Sequence, residues 1–124
     1  MTDQIEQLVA DAVEVQADVD ALMALHTADT VIVNVAGRRL LGRESFREAM
    51  AAAMATPLAD VRTDVEIDDV TRPGPDVAIV SCTKRIYASG SDSPESEAFL
   101  TYVVVDEGGQ WRIALAQTTP QANG

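Results

Sequence analysis

The sequence predicts an α+β domain in which three helices, all in the first half of the chain, pack against a curved, cone-shaped antiparallel sheet. Two observations predict this class. Apolar residues before Pro57 recur mainly at helical spacing, whereas those after it alternate with polar residues. Helices segregated from antiparallel strands are typical of α+β folds. The length of 124 residues predicts a single domain, residues 1–124.

Three segments of the first half have the pattern of helices. Residues 3–16 form an amphipathic stretch with Asp3 as the expected N-cap. Asp18 is the expected cap of a shorter helix, which carries His26 on its packed face. The third helix is predicted over residues 42–55 and ends before a proline.

The remaining segments are predicted to be strands. A short hairpin, residues 31–35 and 38–41, lies between the second and third helices. Four long strands follow the proline, over residues 61–67, 77–88, 98–106 and 110–119. A bulge is expected at Asp68-Asp69, because Val70 falls out of phase. A strongly curved sheet packed on helices leaves a cone with an apolar mouth, and such mouths bind small molecules.

Composition excludes several classes of function. A net charge of −11 argues against nucleic acid and anionic membrane surfaces as partners. The N-terminus lacks the pattern of a signal peptide, which predicts a cytoplasmic protein. A single cysteine, Cys82, excludes an internal disulfide and a cysteine-rich zinc site. We interpret Asp64, Glu66 and Asp68 as solvated carboxylates on one strand face, so no metal and no cofactor is predicted.

A family resemblance rests on two stretches. The segment DALMALHTADTVIVNVAGRRLLGRESFREAM, residues 20–50, resembles the cystatin-like cone of the nuclear transport factor two superfamily. That superfamily includes ketosteroid isomerases, SnoaL-like polyketide cyclases and limonene epoxide hydrolases. VNVAGRRLLGRE together with WRIALAQTT resembles its SgcJ/EcaC branch, which is associated with enediyne and other natural-product gene clusters. The resemblance covers residues 18–119 and implies the cone fold, but this superfamily is functionally mixed.

Asn34 is the position that the resemblance makes most informative. It stands three residues before Gly37, where the ketosteroid isomerases carry their general-base aspartate. An amide does not accept a proton at neutral pH, so we predict that ordinary ketosteroid-isomerase activity is absent. The first helix also lacks the tyrosine of those enzymes, and Tyr87 and Tyr102 would replace it only in a different geometry. Oxidoreductase activity is not supported, because the chain has no dinucleotide fingerprint and no cysteine pair.

The other candidate site residues each have two interpretations. His26 is either a hydrogen-bonded core residue or a catalytic base in the pocket within reach of Asn34. Gln117 is either bonded to neighbouring backbone or, with Asn34, a polar group of a mostly apolar pocket. Tyr102 and Trp111 complete the candidate ligand-binding set, although Trp111 also suits the core or an interface. Cys82 is interpreted as a buried apolar residue, and a Cys82–His26 nucleophile pair is the alternative.

Three hypotheses of function follow. The leading one is a cone protein that binds a hydrophobic small molecule, a polyketide-like or polyene intermediate, and assists its cyclisation or folding. The second is an isomerase or cyclase with His26 as general base, and the third a non-catalytic association domain. A deep pocket favours the first two, whereas a filled interior favours the third. Because strands 77–88 and 98–106 are apolar on both faces, we also predict a homodimer through the open sheet face.

Overall fold

The computed structural model describes residues 3–122, apart from the side chains of residues 57 and 58. Its helices and strands, in chain order, are α1 (Gln4–Glu14), α2 (Val19–Ala24), β1 (His26–Val33), β2 (Arg39–Leu41), α3 (Arg43–Met54), β3 (Arg62–Gly74), β4 (Val77–Tyr87), β5 (Ser96–Glu107) and β6 (Gln110–Pro120). One sheet contains all six strands in the order β2-β1-β6-β5-β4-β3. Only β1 and β6 run parallel; the other neighbours are antiparallel. The predicted α+β cone is confirmed.

The first two helices begin at the predicted caps. The Asp3 carboxylate accepts a hydrogen bond from the Ile5 amide at 2.9 Å, and Asp18 accepts one from the Ala21 amide at 3.1 Å. Each bond satisfies a backbone N–H that the first helical turn leaves without a partner. The third helix starts after Gly42, whose φ of 93° is readily adopted only by glycine.

The core lies between the helices and the concave face of the sheet. Its most buried members come from both layers, and they include Ile5, Met23, Val80, Val104 and Ile113. Gln16 joins α1 to the edge strand β3. Its side-chain amide donates to the Thr63 carbonyl at 3.1 Å, and its oxygen accepts from the Thr63 amide at 2.9 Å. Gln16 follows the end of α1, and its side chain covers part of a strand edge that would otherwise be open to other chains.

His26 does not lie on the second helix, so that part of the prediction was wrong. Helix α2 ends at Ala24, and β1 begins at His26, five residues before the predicted strand. The cause is tertiary pairing: His26 is in register with Ile113 of β6, and the Thr30 hydroxyl donates to the Ile113 carbonyl at 3.0 Å. Pairing of this kind overrides a local helical pattern.

Two bulges decide which side chains face the helices. The bulge predicted at Asp68-Asp69 is confirmed by a register shift between Ile67 and Asp69. A second bulge, not predicted, lies in β6. Val104 pairs with Ile113 but Val103 pairs with Leu115, so Ala114 is an extra residue. One inserted residue exchanges the two faces for the rest of the strand.

Candidate functional site

A cavity of about 400 Å³ lies between the three helices and the concave face of the sheet. Most of its wall is apolar, with Leu22, Ile32, Phe46, Met50, Ile86 and Ile113 among its lining residues. Seven polar or charged side chains also line it: Gln16, His26, Asn34, Thr63, Lys84, Tyr102 and Thr118. Small-molecule sites generally combine an apolar wall with a few polar groups in this way.

His26 presents a neutral imidazole to the cavity. Its Nδ1 lies 2.8 Å from the Leu22 carbonyl oxygen, and because a carbonyl only accepts, Nδ1 carries the proton. The ring meets Phe46 edge to face, with centroids 4.9 Å apart. Burial lowers the pKa of His26, and the positive charge of Arg43 lowers it further, although the Leu22 hydrogen bond acts in the opposite direction. The Nε2 atom is therefore a lone-pair acceptor.

Tyr102 supplies a hydroxyl from the middle of β5. Its side chain is buried, and burial raises the pKa of the phenol above its ordinary value, with Cys82 adding to the effect. The group therefore stays protonated and can donate. The hydroxyl has no hydrogen-bond partner among the described residues. Every fully buried side-chain oxygen or nitrogen of those residues does have a partner, so the Tyr102 hydroxyl is not fully buried. The hydroxyl consequently opens on the cavity.

Asn34 lies at the mouth of the cavity and is exposed to solvent. Its side-chain oxygen accepts hydrogen bonds from the Ala36 amide at 3.1 Å and the Arg38 amide at 2.9 Å. The Gly37 amide also donates to the Asn34 carbonyl at 2.9 Å. An asparagine that bonds backbone a few residues further on stabilises a turn. Asn34 thus borders the cavity while its oxygen holds the β1–β2 turn, and only its NH₂ group remains for a ligand.

Gln117 does not line the cavity, contrary to one of its two interpretations. The bulge at Ala114 places Ala116 and Thr118 on the inward face, and Gln117 lies exposed on the outer face. If the residues of β6 alternated strictly from Ile113 onward, Gln117 would face the cavity, which is why the sequence pattern predicted it there.

Trp111 lies outside the cavity as well. It lines a separate groove between α1 and the start of β6, with Leu8 and Leu25, and packs against the core. The Arg72 guanidinium lies 5.9 Å from its ring centroid. This placement agrees with the core interpretation of the residue rather than with ligand binding in the cavity.

Cys82 and His26 are not brought together as a nucleophile and base. The Cys82 thiol is buried and donates a weak hydrogen bond to the Val80 carbonyl, at 3.9 Å. Burial raises the pKa of this thiol to about 12, with a smaller contribution from the charge of Asp68. A thiol with so high a pKa is a poor nucleophile at neutral pH.

Four polar cavity residues were missed from the sequence: Gln16, Thr63, Lys84 and Thr118. Lys84 lies on β4 in phase with Val80, Cys82 and Ile86, and this position inside an apolar row was the available signal. Burial lowers its pKa below the ordinary lysine value. Thr118 carried no signal, because its inward direction depends on the β6 bulge.

The described residues 3–122 contain no group of three or more histidine, cysteine or acidic side chains placed to hold a metal ion. The acidic row on β3 is engaged in surface contacts instead. Glu66 pairs with Arg85 at 3.1 Å, and Asp68 accepts from the Thr83 hydroxyl at 2.7 Å. No helix in the same range is long and apolar enough to cross a membrane.

Comparison with solved structures shows the same fold in proteins of low sequence identity. A cystatin-like protein from Caulobacter vibrioides is 21% identical, with a TM-score of 0.85 over 97% of this chain and 89% of that one. A ketosteroid isomerase-like protein from Erwinia carotovora atroseptica is 20% identical, with a TM-score of 0.77 over 96% and 95% of the two chains. A cystatin-like domain from Nostoc punctiforme is 17% identical, with a TM-score of 0.85 over 96% and 76%.

A search of curated proteins gave no match. The family comparison is more specific than the structural one. The profile of the SnoaL-like domain matches residues 5–118, which span nearly all of the helices and the sheet. The match includes every residue that lines the cavity. The chain therefore belongs to the SnoaL-like domain family, within the superfamily that its sequence resembles.

Proposed function

We propose that the protein binds a hydrophobic small molecule in the cavity between its helices and its sheet. The observation that carries the proposal is an apolar cavity into which His26 Nε2 and the Tyr102 hydroxyl open without partners among the described residues. The volume of about 400 Å³ falls in the range of ligand sites. The resemblance to the SgcJ/EcaC branch suggests a polyketide-like or polyene intermediate, and the protein would assist its cyclisation or folding.

The open interior argues against the association-domain hypothesis as the whole function. An interior that served packing alone would be filled by side chains, because protein cores are close-packed. Here an acceptor at His26 and a donor at Tyr102 are instead held beside empty space. Together they suit a ligand hydroxyl or carbonyl within a larger apolar body.

Filling the cavity tests the proposal. Ala53 lines the cavity from α3, whereas its neighbour Ala52 is exposed, so Ala53→Phe and Ala52→Phe form a matched pair. A fluorescent apolar probe is expected to bind the unmodified protein and Ala52→Phe, and to bind Ala53→Phe at least tenfold more weakly. Equal binding by both variants would place the probe outside the cavity and refute the proposal.

The second candidate function is an isomerase or cyclase in which His26 is the general base. The Nδ1–H bond to Leu22 favours it, because that bond leaves Nε2 unprotonated in a water-poor site. The lowered pKa keeps the base form dominant at neutral pH but makes it a weaker base. Solvent-deuterium exchange beside the carbonyl of a bound ketone measures this activity, and His26→Gln should abolish it. Exchange at an unchanged rate in that variant would exclude His26 as the base.

A further inference from the structure

Lys84 is the only lysine in the sequence, and it lines the cavity as a half-buried residue. It lies on the inward row of β4. Its register partners on the neighbouring strands are Val65 and Ala98, and its neighbours in the row are Cys82 and Ile86. An ammonium group is therefore placed on a wall of apolar side chains.

No carboxylate of the described residues pairs with Lys84. The chain has 20 acidic residues against nine basic ones, so acidic partners are not scarce. Ion pairs do form at four of the arginines: Arg47–Asp20, Arg72–Asp3, Arg85–Glu66 and Arg112–Glu107. On β3, the strand beside Lys84, the exposed Asp64 and Glu66 alternate with Val65 and face away from the cavity. The interior thus holds a basic group without an acidic one.

An unpaired amine in such a place is unfavourable in its charged form, which is why burial lowers the pKa of Lys84. The buried ammonium has lost part of its interaction with water. An anion that binds beside it replaces that interaction and stabilises the charged form. The remaining wall offers an apolar body the surface that it needs. A ligand that carries both an anionic group and an apolar body therefore suits this site.

We propose that Lys84 anchors the carboxylate of an amphipathic acid whose apolar body fills the cavity. This inference rests on the proposed binding function and names the ligand class. Lys84 pairs with Ala98, which lies four residues from Tyr102 along β5. At about 3.4 Å per residue the two backbone positions are about 14 Å apart. A carboxylate at Lys84 therefore leaves Tyr102 and His26 for a polar group further along the ligand.

Calorimetric titration with decanoate and with decanol tests the inference, since the two ligands differ only in the head group. Charge-assisted hydrogen bonds predict that decanoate binds the unmodified protein at least about tenfold more tightly than decanol. Lys84→Met should remove that preference by weakening decanoate binding relative to decanol binding, whereas Lys84→Arg should keep the preference. Arg85→Met is the matched control, because it removes a positive charge from the outer face of the same strand.

A second measurement does not depend on a variant. Because Lys84 is the only lysine, reductive methylation followed by mass spectrometry reports on its amine, with the terminal amine as internal reference. Decanoate should protect Lys84 and decanol should not. Decanol binding without preference for decanoate, or an equal loss of preference in Arg85→Met, would overturn the carboxylate inference alone. Failure of both ligands to bind would count against the proposed function itself.

Discussion

The burial of His26 has a consequence for stability that can be measured at a single residue. Its pKa in the folded protein is lowered from 6.5, so well above pH 6.5 the folded and unfolded chains are both neutral at this position. As the pH falls below 6.5, the unfolded chain takes up a proton that the folded chain does not, and the free energy of unfolding decreases.

Replacing His26 by glutamine should remove this dependence. Between pH 7.5 and 5.5 the unmodified protein should lose up to about 1.4 kcal/mol more stability than His26→Gln, since one pH unit corresponds to that amount. Urea unfolding at the two pH values measures the difference. Identical losses in the two proteins would show that the folded and unfolded pKa values of His26 coincide.

Asn34 gives a prediction about activity. The Asn34→Asp variant keeps an oxygen for the Ala36 and Arg38 amides, so the turn should survive. It also places a carboxylate at the cavity mouth, and a positioned base contributes about 10²–10⁴-fold to proton abstraction. We expect this variant, but not the unmodified protein, to isomerise a small β,γ-unsaturated ketone. Asn34→Leu should weaken ligand binding and destabilise the turn by about 1 kcal/mol. Rapid isomerisation by the unmodified protein would instead identify another base, with His26 the first to test.

Most of the helices and strands were predictable, because the spacing of apolar residues, the helix caps and the turn residues all indicate the same element boundaries. Asp3 and Asp18 cap helices as their types predict, and the Gly108-Gly109 hairpin turn has positive φ at both residues. The start of β1 was not predictable, because it depends on pairing with a strand that is distant in the sequence. β1 begins at His26 because β6 pairs with it, and no local pattern carries that information.

The candidate site was predicted less completely than the fold, for the same reason. His26, Asn34 and Tyr102 do border the cavity, but the inward phase of β6 changes at a bulge whose extra residue is an ordinary alanine, Ala114. Alternation places Gln117 inside, whereas the structure places it outside. Lys84 could have been identified as a site residue from the sequence, because lysine is rarely buried and here it stands in a row of apolar residues.

The bulge itself leads to a prediction about neighbouring residues on β6. Ala116 lines the cavity, and Gln117 faces outward. Ala116→Phe should therefore reduce probe binding at least tenfold, while Gln117→Phe should leave it within about twofold of the unmodified protein, because an outward ring takes no cavity space. Probe titration of the two variants measures this. The opposite ranking would mean that the bulge does not set the phase of β6.

At the scale of the whole molecule, the outer face of the sheet predicts a homodimer. Ile79, Val103 and Leu115 lie adjacent in register on this face, and the nearby Phe99 is 53% exposed. An apolar patch of this kind on the face of a sheet is expected to be covered by a partner. Light scattering at micromolar concentration should report twice the 13.2 kDa chain mass.

A variant pair connects the dimer to that face. Val103→Glu places a charge at its centre and should give monomers, because burying an unpaired charge is strongly unfavourable. Leu41→Glu is the control, since Leu41 is 62% exposed but lies on the edge strand β2. A monomeric unmodified protein, or a dimer that survives Val103→Glu, would remove the outer face as the interface.

If the cavity holds an apolar small molecule, that molecule should stay bound during native mass spectrometry of the protein purified from a polyketide-producing host. We expect the mass of the protein with a bound organic ligand for the unmodified protein and for Ala52→Phe, and the ligand-free mass for Ala53→Phe, whose new side chain occupies the cavity. A ligand-free mass for all three proteins, or equal ligand retention by Ala53→Phe, would show that the cavity does not hold such a molecule.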